Sequence, residues 1–459
     1  MHAKIPILWQ RLRDSLWLLP SLLTVGAVAL AAATVEFDRR MLTDERADLY
    51  LAFGGGAEGA RGVLTAIGST VITVTGVIFS VTIVALQLAS SQFTPLVLRS
   101  FLGDRANQLV LGVFIATFTY TLLVLRTVRS ATEDNQIFVP SISVAVSIGL
   151  ALVSIGLLIY FIHHVSRSIQ AAVIIDRATR DTRHVLDRVF PNETSLPEPC
   201  GHAHEPANPP MLVTADRAGY IQAVDEDALV NLARHHRVTI RMERRVGEHL
   251  LPGVALAAVW PTPEMSDAIG DGVRGAFVLG RERTLTDDLE LGIRQLSDIA
   301  LRALSPSLND PTTAMICFDR LAEIVVHVGG RPTPSSVRGA GGGCLITRRQ
   351  TFDDVAETAY GLTRRSVAAD PTVARHVVVT LGIVGGLVRP LHRPVLAAHL
   401  DALLATVEAA TTLAHDVEPI REAGQDARRI LTEPLPPAQR AARSGSSGER
   451  LAETSHPAR

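Results

Sequence analysis

The chain has 459 residues, of which 47% are hydrophobic and 20% charged, with a formal net charge of −2 and a mean hydropathy of +0.24. Its length admits about two or three domains, its hydropathy points to a membrane protein with a soluble part, and its near-neutral charge argues against nucleic acid or an acidic partner. Cys200, Cys317 and Cys344 lie too far apart for a zinc spacing or a disulfide framework, so no metal or other cofactor is expected.

Apolar runs at 16–35, 63–89, 108–125 and 137–162 carry no Asp, Glu, Lys, Arg or His. Each comes near the roughly 20 residues that cross a bilayer, which predicts four transmembrane helices. The first follows Lys4, Arg11 and Arg13 but is too long for a signal core and lacks a clean cleavage pattern, so it reads as an uncleaved anchor. Lys4, Arg11, Arg13, Arg99, Arg105, Arg167, Arg177, Arg180 and Arg183 fall on one side of the bilayer. Arg39, Arg40, Arg46, Arg61, Arg126 and Arg129 fall on the other, among acidic residues. This modest bias places both termini in the cytoplasm of a bacterial cell, with the chain in the inner membrane. The absence of charge inside the runs argues against ion-coupled transport and leaves a passive pore or a signalling anchor.

The second run contains TVTGVIFSVTIVALQLASSQFTP. At about 100° per residue, Ser69, Thr73, Gly76, Ser80, Gln87 and Ser91 share one sector, with Ile83 and Val84 flanking it as an apolar interruption. Such a stripe fits a pore wall with one hydrophobic constriction in a symmetric oligomer. It fits also a helix–helix interface of small and hydroxyl residues, and neither reading excludes the other. Thr94, Pro95 and Gly103 then mark a short helix at the membrane surface, and Asp104 is placed to cap the third span.

After the spans, 163–190 keeps a helical rhythm and reads as a stalk, followed by a proline-rich linker at 191–210. Cys200, His202, His204 and Glu205 in that linker stand too close together for an ordered tetrahedral metal site. Residues 211–280 alternate as strands around a short helix capped by Asp225, with Pro252–Gly253 as a hairpin turn. His235 and His236 fall at a solvated helix end. A small β-barrel or sandwich is expected here.

From Thr284 the pattern is mainly helical, with Thr284 and Asp287 arranged like a capping box. Leu289, Ile293, Leu296 and Ala300 make an apolar face, and Arg294, Asp298 and Arg302 stack four apart as an ion-pair ladder. ALRALSPSLNDPTTAM follows, with Ser305, Ser307, Asn309 and Asp310. No nearby His supplies a base and no glycine-framed elbow is present, so Asp310–Pro311 reads as a helix start, repeated at Asp370–Pro371. An enzymatic reading requires Asp298, Ser305, Asn309 and Asp310 to face one pocket. Residues 329–343 form a glycine-rich loop without the ending of a phosphate loop, and CLITRR a strand.

FSVTIVALQLASSQFTPLVLRSFLGDRANQ and ALRALSPSLNDPTTA resemble the signature stretches of a bacterial membrane-protein family catalogued as domain of unknown function 2254. The resemblance runs from the first span to about Thr432. It implies a plasma-membrane protein with N-terminal spans and a cytoplasmic C-terminal region, and brings no catalytic residues or cofactor.

The expected fold is thus an α-helical membrane domain with four transmembrane helices (1–165), then a cytoplasmic α+β region. That region comprises a helical stalk and linker (166–210), a small β-rich module (211–283), a mainly helical domain (284–432) and a disordered tail (433–459). The expected function is a homo-oligomeric plasma-membrane pore for an inorganic ion, gated by the cytoplasmic region. The alternative is a membrane-anchored sensor or scaffold that transports nothing.

Overall fold

A computed structural model describes residues 17–41, 56–92, 104–129, 138–168, 170–191, 209–261, 266–340, 342–411 and 413–433. The surface helix expected at 94–103, the linker motif from Cys200 to Glu205 and the tail beyond 433 lie outside the described residues. The chain divides into two compact units, Met1–Ile174 and Ile175–Arg459.

The first unit holds α1 (Leu18–Met41), α2 (Ala57–Gln92), α3 (Arg105–Thr127) and α4 (Ser141–Ser168). Each is long and apolar enough to cross a membrane. All four exceed the charge-free runs, because helical hydrogen bonding continues into the polar flanks once the apolar stretch has formed a helix. Helix α3 packs against all three others. Gly112 makes the approach to α1 possible, since a Cβ there would lie 2.7 Å from Leu23 Cδ1 and 3.1 Å from the Pro20 backbone. One apolar core joins Ala31, Leu64, Tyr120, Val124 and Val144. A second joins Val71, Ile78, Phe114, Phe161 and Val165. A further helix, α5 (Ala171–Val189), follows α4, so the expected stalk is two helices rather than one extension of the fourth span.

The second unit begins within α5 and continues with β1 (Met211–Thr214), β2 (Gly219–Val224), α6 (Glu226–His236), β3 (Thr239–Met242), β4 (His249–Leu250), β5 (Ala255–Trp260), α7 (Ser266–Ala276) and β6 (Phe277–Gly280). Then come α8 (Leu289–Ala303), α9 (Pro311–Gly330), β7 (Val337–Ala340) and β8 (Gly343–Ile346). The sheet order is β1-β5-β3-β8-β7 in one sheet and β4-β2-β6 in the other. Neither closes, so the expected barrel is not formed. The two sheets share one core with α6 and α7, in which Ile221, Leu229, Ile240, Val259 and Val273 are buried.

Three local expectations change in this region. Pro252–Gly253 does turn the chain, with Gly253 at φ +87°. The strands it joins belong to different sheets, however, so it is not a hairpin. Helix α7 lies inside the stretch expected to be β-rich: its glycines hide an amphipathic helix that buries Ile269 and Val273. The glycine-rich loop contains β7, which pairs antiparallel with β8, while β8 pairs parallel with β3.

The remaining elements are α10 (Phe352–Ala356), a π-helical turn (Glu357–Gly361), α11 (Arg364–Ala368), α12 (Pro371–Leu387), a 3-10 turn (Pro390–His392), α13 (Arg393–Ala410) and α14 (Ala414–Thr432). Helices α6, α9 and α12 start on Asp225, Asp310 and Asp370, each accepting backbone N–H groups, as the sequence indicates. Helix α8 starts on Asp288 rather than on the expected Thr284–Asp287 box. The Asp288 carboxylate caps Leu291 N while Arg283 forks onto it at 2.7 and 2.8 Å. That buried, charge-assisted fork fixes the helix start one turn later than local sequence suggests.

Candidate functional site

Along α2, Val71, Thr75, Ile78 and Ala85 are buried against the other helices. Ser69, Thr73, Gly76, Ser80, Ile83, Val84 and Gln87 are all exposed on the opposite side. Ser91 lies in the last turn of α2, and its side chain is outside the described residues. The stripe therefore runs down the middle of the face that α2 turns away from its own unit. Apolar Ile72, Val77, Phe79, Val81 and Leu88 flank it.

The polar groups of this stripe differ in how they are satisfied. Ser69 Oγ donates to the Ala66 carbonyl at 3.2 Å and Thr73 Oγ1 to the Ser69 carbonyl at 2.7 Å. Such back-bonding to the helix leaves a hydroxyl tolerable in hydrocarbon. Ser80 and Gln87 have no hydrogen bond among the described residues. A glutamine amide carries two donors and an acceptor, and hydrocarbon offers partners for none of them. Ile83 and Val84, 48% and 60% exposed, stand between these two polar positions.

The interior of the four-helix unit contains polar groups that the sequence pattern does not reveal. Asp38, 5% exposed near the end of α1, accepts from Ile142 N and Ser143 N at 3.0 Å and from Ser143 Oγ at 2.6 Å. Its carboxylate thereby caps α4, where the helix dipole favours negative charge. Tyr120 Oη lies 2.8 Å from Thr34 Oγ1 and donates to the Ser143 carbonyl at 3.3 Å. Thr117 and Ser154 meet at 3.2 Å. At the other end of α4, His164 Nε2 lies 3.0 Å from Asp104 Oδ2, while Asp104 Oδ1 accepts from Ala106 N as the expected cap of α3. Asn107 is buried beside this cap with both amide atoms unpartnered. Asp38 and His164 sit just beyond the charge-free runs, so only the pairing partners, about a hundred residues away for Asp38, were beyond reach of the sequence.

In the second unit the loop between α8 and α9 places Ser305, Ser307, Asn309 and Asp310 together. Ser305 Oγ lies 3.1 Å from Ser307 Oγ. Asn309 adopts φ +45°, a left-handed conformation that asparagine tolerates better than most residues. Asp310 accepts from Thr313 N at 3.0 Å and Thr313 Oγ1 at 2.5 Å, which commits its carboxylate to starting α9. Leu289, Ile293, Leu296 and Ala300 are buried, as their spacing indicates. The expected ladder does not form: Asp298 makes no hydrogen bond or ion pair among the described residues, and Arg294 points out to solvent. Burial pushes the Asp298 carboxyl above the usual carboxylate range, with the Arg294 charge opposing it. Cys317 is buried in α9 and its thiol is pushed up by burial, which makes it a packing residue rather than a ligand. Among the described residues no group of three or more His, Cys, Asp or Glu could hold a metal ion.

Four apolar helices of spanning length, followed by a mostly helical region with two open sheets, define a membrane protein. The chain belongs to the family described as predicted membrane protein (DUF2254), whose model matches residues 13–383. It is 36% identical over 337 residues to proteins of Mycobacterium bovis and Mycobacterium tuberculosis, each described only as uncharacterised. Those alignments cover 71% of this chain and 63% of each relative, so the match spans less than two thirds of the relatives' length. No solved structure matches.

Proposed function

We propose that this chain is one subunit of a homo-oligomer in the bacterial inner membrane, with both termini cytoplasmic, in which α2 surrounds a path for an inorganic ion. The region after the spans controls opening. The observation that carries this reading is the unpartnered polar pair Ser80 and Gln87, displayed on the face α2 turns away from its own unit. In an assembled pore, water or a partially dehydrated ion satisfies them, and Ile83 and Val84 between them form an apolar constriction that closes by dewetting. The test is conductance of the purified protein in planar bilayers, wild type against Ser80→Trp. Discrete currents reduced by the substitution support the pore; unchanged currents in a well-assembled variant remove this face from the path.

A second reading rests on Ser69 and Thr73, whose hydroxyls are already satisfied by their own helix. Such a face can pack against another copy without enclosing water, and the chain then acts as a membrane-anchored sensor or scaffold. It predicts electrical silence from inserted, assembled protein.

A further inference from the structure

The π-helical turn Glu357–Gly361 adjoins a small cavity in the second unit. Tyr360, Thr363, Arg364 and His399 contribute its polar lining, with Val377 and Leu403 on the apolar side. A π turn widens the helix by one residue and recurs at functional sites. Here Leu362 N bonds back to the Glu357 carbonyl at 3.3 Å. A Cβ at Gly361 would lie 2.2 Å from Glu357 Oε1, the end of a flexible and largely exposed side chain that can move aside.

Two donors in this lining are buried and unsatisfied. Tyr360 is 5% exposed, and its hydroxyl has no hydrogen-bond partner. Arg364 Nε is likewise buried without a partner. Thr363 has already used its proton, within 3.3 Å of the Ala359 and Tyr360 carbonyls. His399 has a side chain only 12% exposed and stands 4.0 Å from Glu357 Oε2. Its ring centroid is 6.2 Å from that of Tyr360.

Leaving a buried donor unmade costs about 1–3 kcal/mol, so two in one small cavity call for an acceptor. Arg364 Nε can only donate, Tyr360 O–H can donate, and His399 can offer a ring N–H. Glu357, the nearby carboxylate, is largely exposed, and water screens its charge. The cavity has space for about one water-sized sphere. That size excludes phosphate, nucleotides and metabolites, while the donor set and the Arg364 charge favour a negative guest. We propose that this cavity binds a halide-sized monovalent anion between Tyr360, Arg364 and His399. This assignment is independent of whether α2 lines a pore.

The experiment uses the full chain in detergent micelles, with sodium gluconate replaced by sodium bromide at constant ionic strength. Bromide at about ten times its dissociation constant raises the unfolding midpoint by roughly 3–6 °C. Tyr360→Phe, which keeps the ring and deletes only the hydroxyl, loses most of that shift. In bromide-grown crystals of the wild type, an anomalous peak occupies the cavity. Equal midpoints in bromide and gluconate overturn the proposal, as does water alone in the cavity. A bromide shift that Tyr360→Phe retains shows an adventitious ion only, and overturns it too.

Discussion

Asp38 Oδ2 accepts a 2.6 Å hydrogen bond from Ser143 Oγ, and the same carboxylate receives the Ile142 and Ser143 backbone N–H groups in the first turn of α4. A single buried anion thus ties the end of the first span to the start of the fourth. Hydrogen bonds to a charged partner contribute about 1.5–3 kcal/mol. Asp38→Ala therefore lowers the stability of the detergent-solubilised protein by roughly that amount. Asp38→Asn, which keeps an acceptor but not the charge, loses less. Chemical unfolding followed by circular dichroism reads both, and an unaltered midpoint in the alanine variant would falsify the tie.

The exposed face of α2 gives a separable prediction. A Cβ at Gly76 meets nothing within 4 Å, so the isolated chain has room for a larger residue there. Gly76→Leu leaves subunit stability within about 0.5 kcal/mol of wild type. If α2 faces another copy, the same change shifts the oligomer towards smaller species in native mass spectrometry or light scattering. A variant of unchanged mass distribution places that face against lipid.

What was legible from sequence follows the reach of the interactions involved. Asp225, Asp310 and Asp370 are readable as caps because each acts on N–H groups two or three residues away. Thr284 and Asp287 mislead because Arg283, itself outside the helix, draws Asp288 into the capping role. Helix α7 is masked by Gly270, Gly272 and Gly275, whose weak propensity is overridden by burial of Ile269 and Val273. The polar sector of α2 is a local property of helical geometry and stands where the spacing puts it; what it faces was never local. The ladder of Arg294, Asp298 and Arg302 shows the limit of that logic, since correct spacing does not make side chains meet.

Gly343 carries a prediction that corrects the view of its glycine run as mere loop. It opens β8, where a Cβ would lie 2.2 Å from the backbone C and O of Ala233 in α6. Backbone cannot rotate aside as a side chain can. Gly343→Ala consequently costs about 1–3 kcal/mol or more, whereas the same change at Gly330, where a Cβ meets nothing within 4 Å, costs little. Comparing the two variants by thermal unfolding isolates the close approach from any general effect of glycine.

Asp298 supplies the pH dependence. Its carboxyl is half-buried in α8, lacks a bonded partner among the described residues, and is held above the usual range mainly by burial. The folded state therefore binds this proton more tightly than the unfolded chain, whose aspartate titrates near about 3.9. Stability from that proton is fully present below the unfolded value and is lost as pH rises through the raised folded value. Asp298→Asn removes the ionisation without changing shape. The variant consequently unfolds at a higher midpoint than wild type at neutral pH. Its advantage shrinks as pH falls through the raised range and vanishes below about 3.9. The measurement is a pair of thermal melts across that pH series. A constant difference between the two proteins at every pH would mean that Asp298 does not ionise with a shifted affinity, and that a contact rather than a charge distinguishes them.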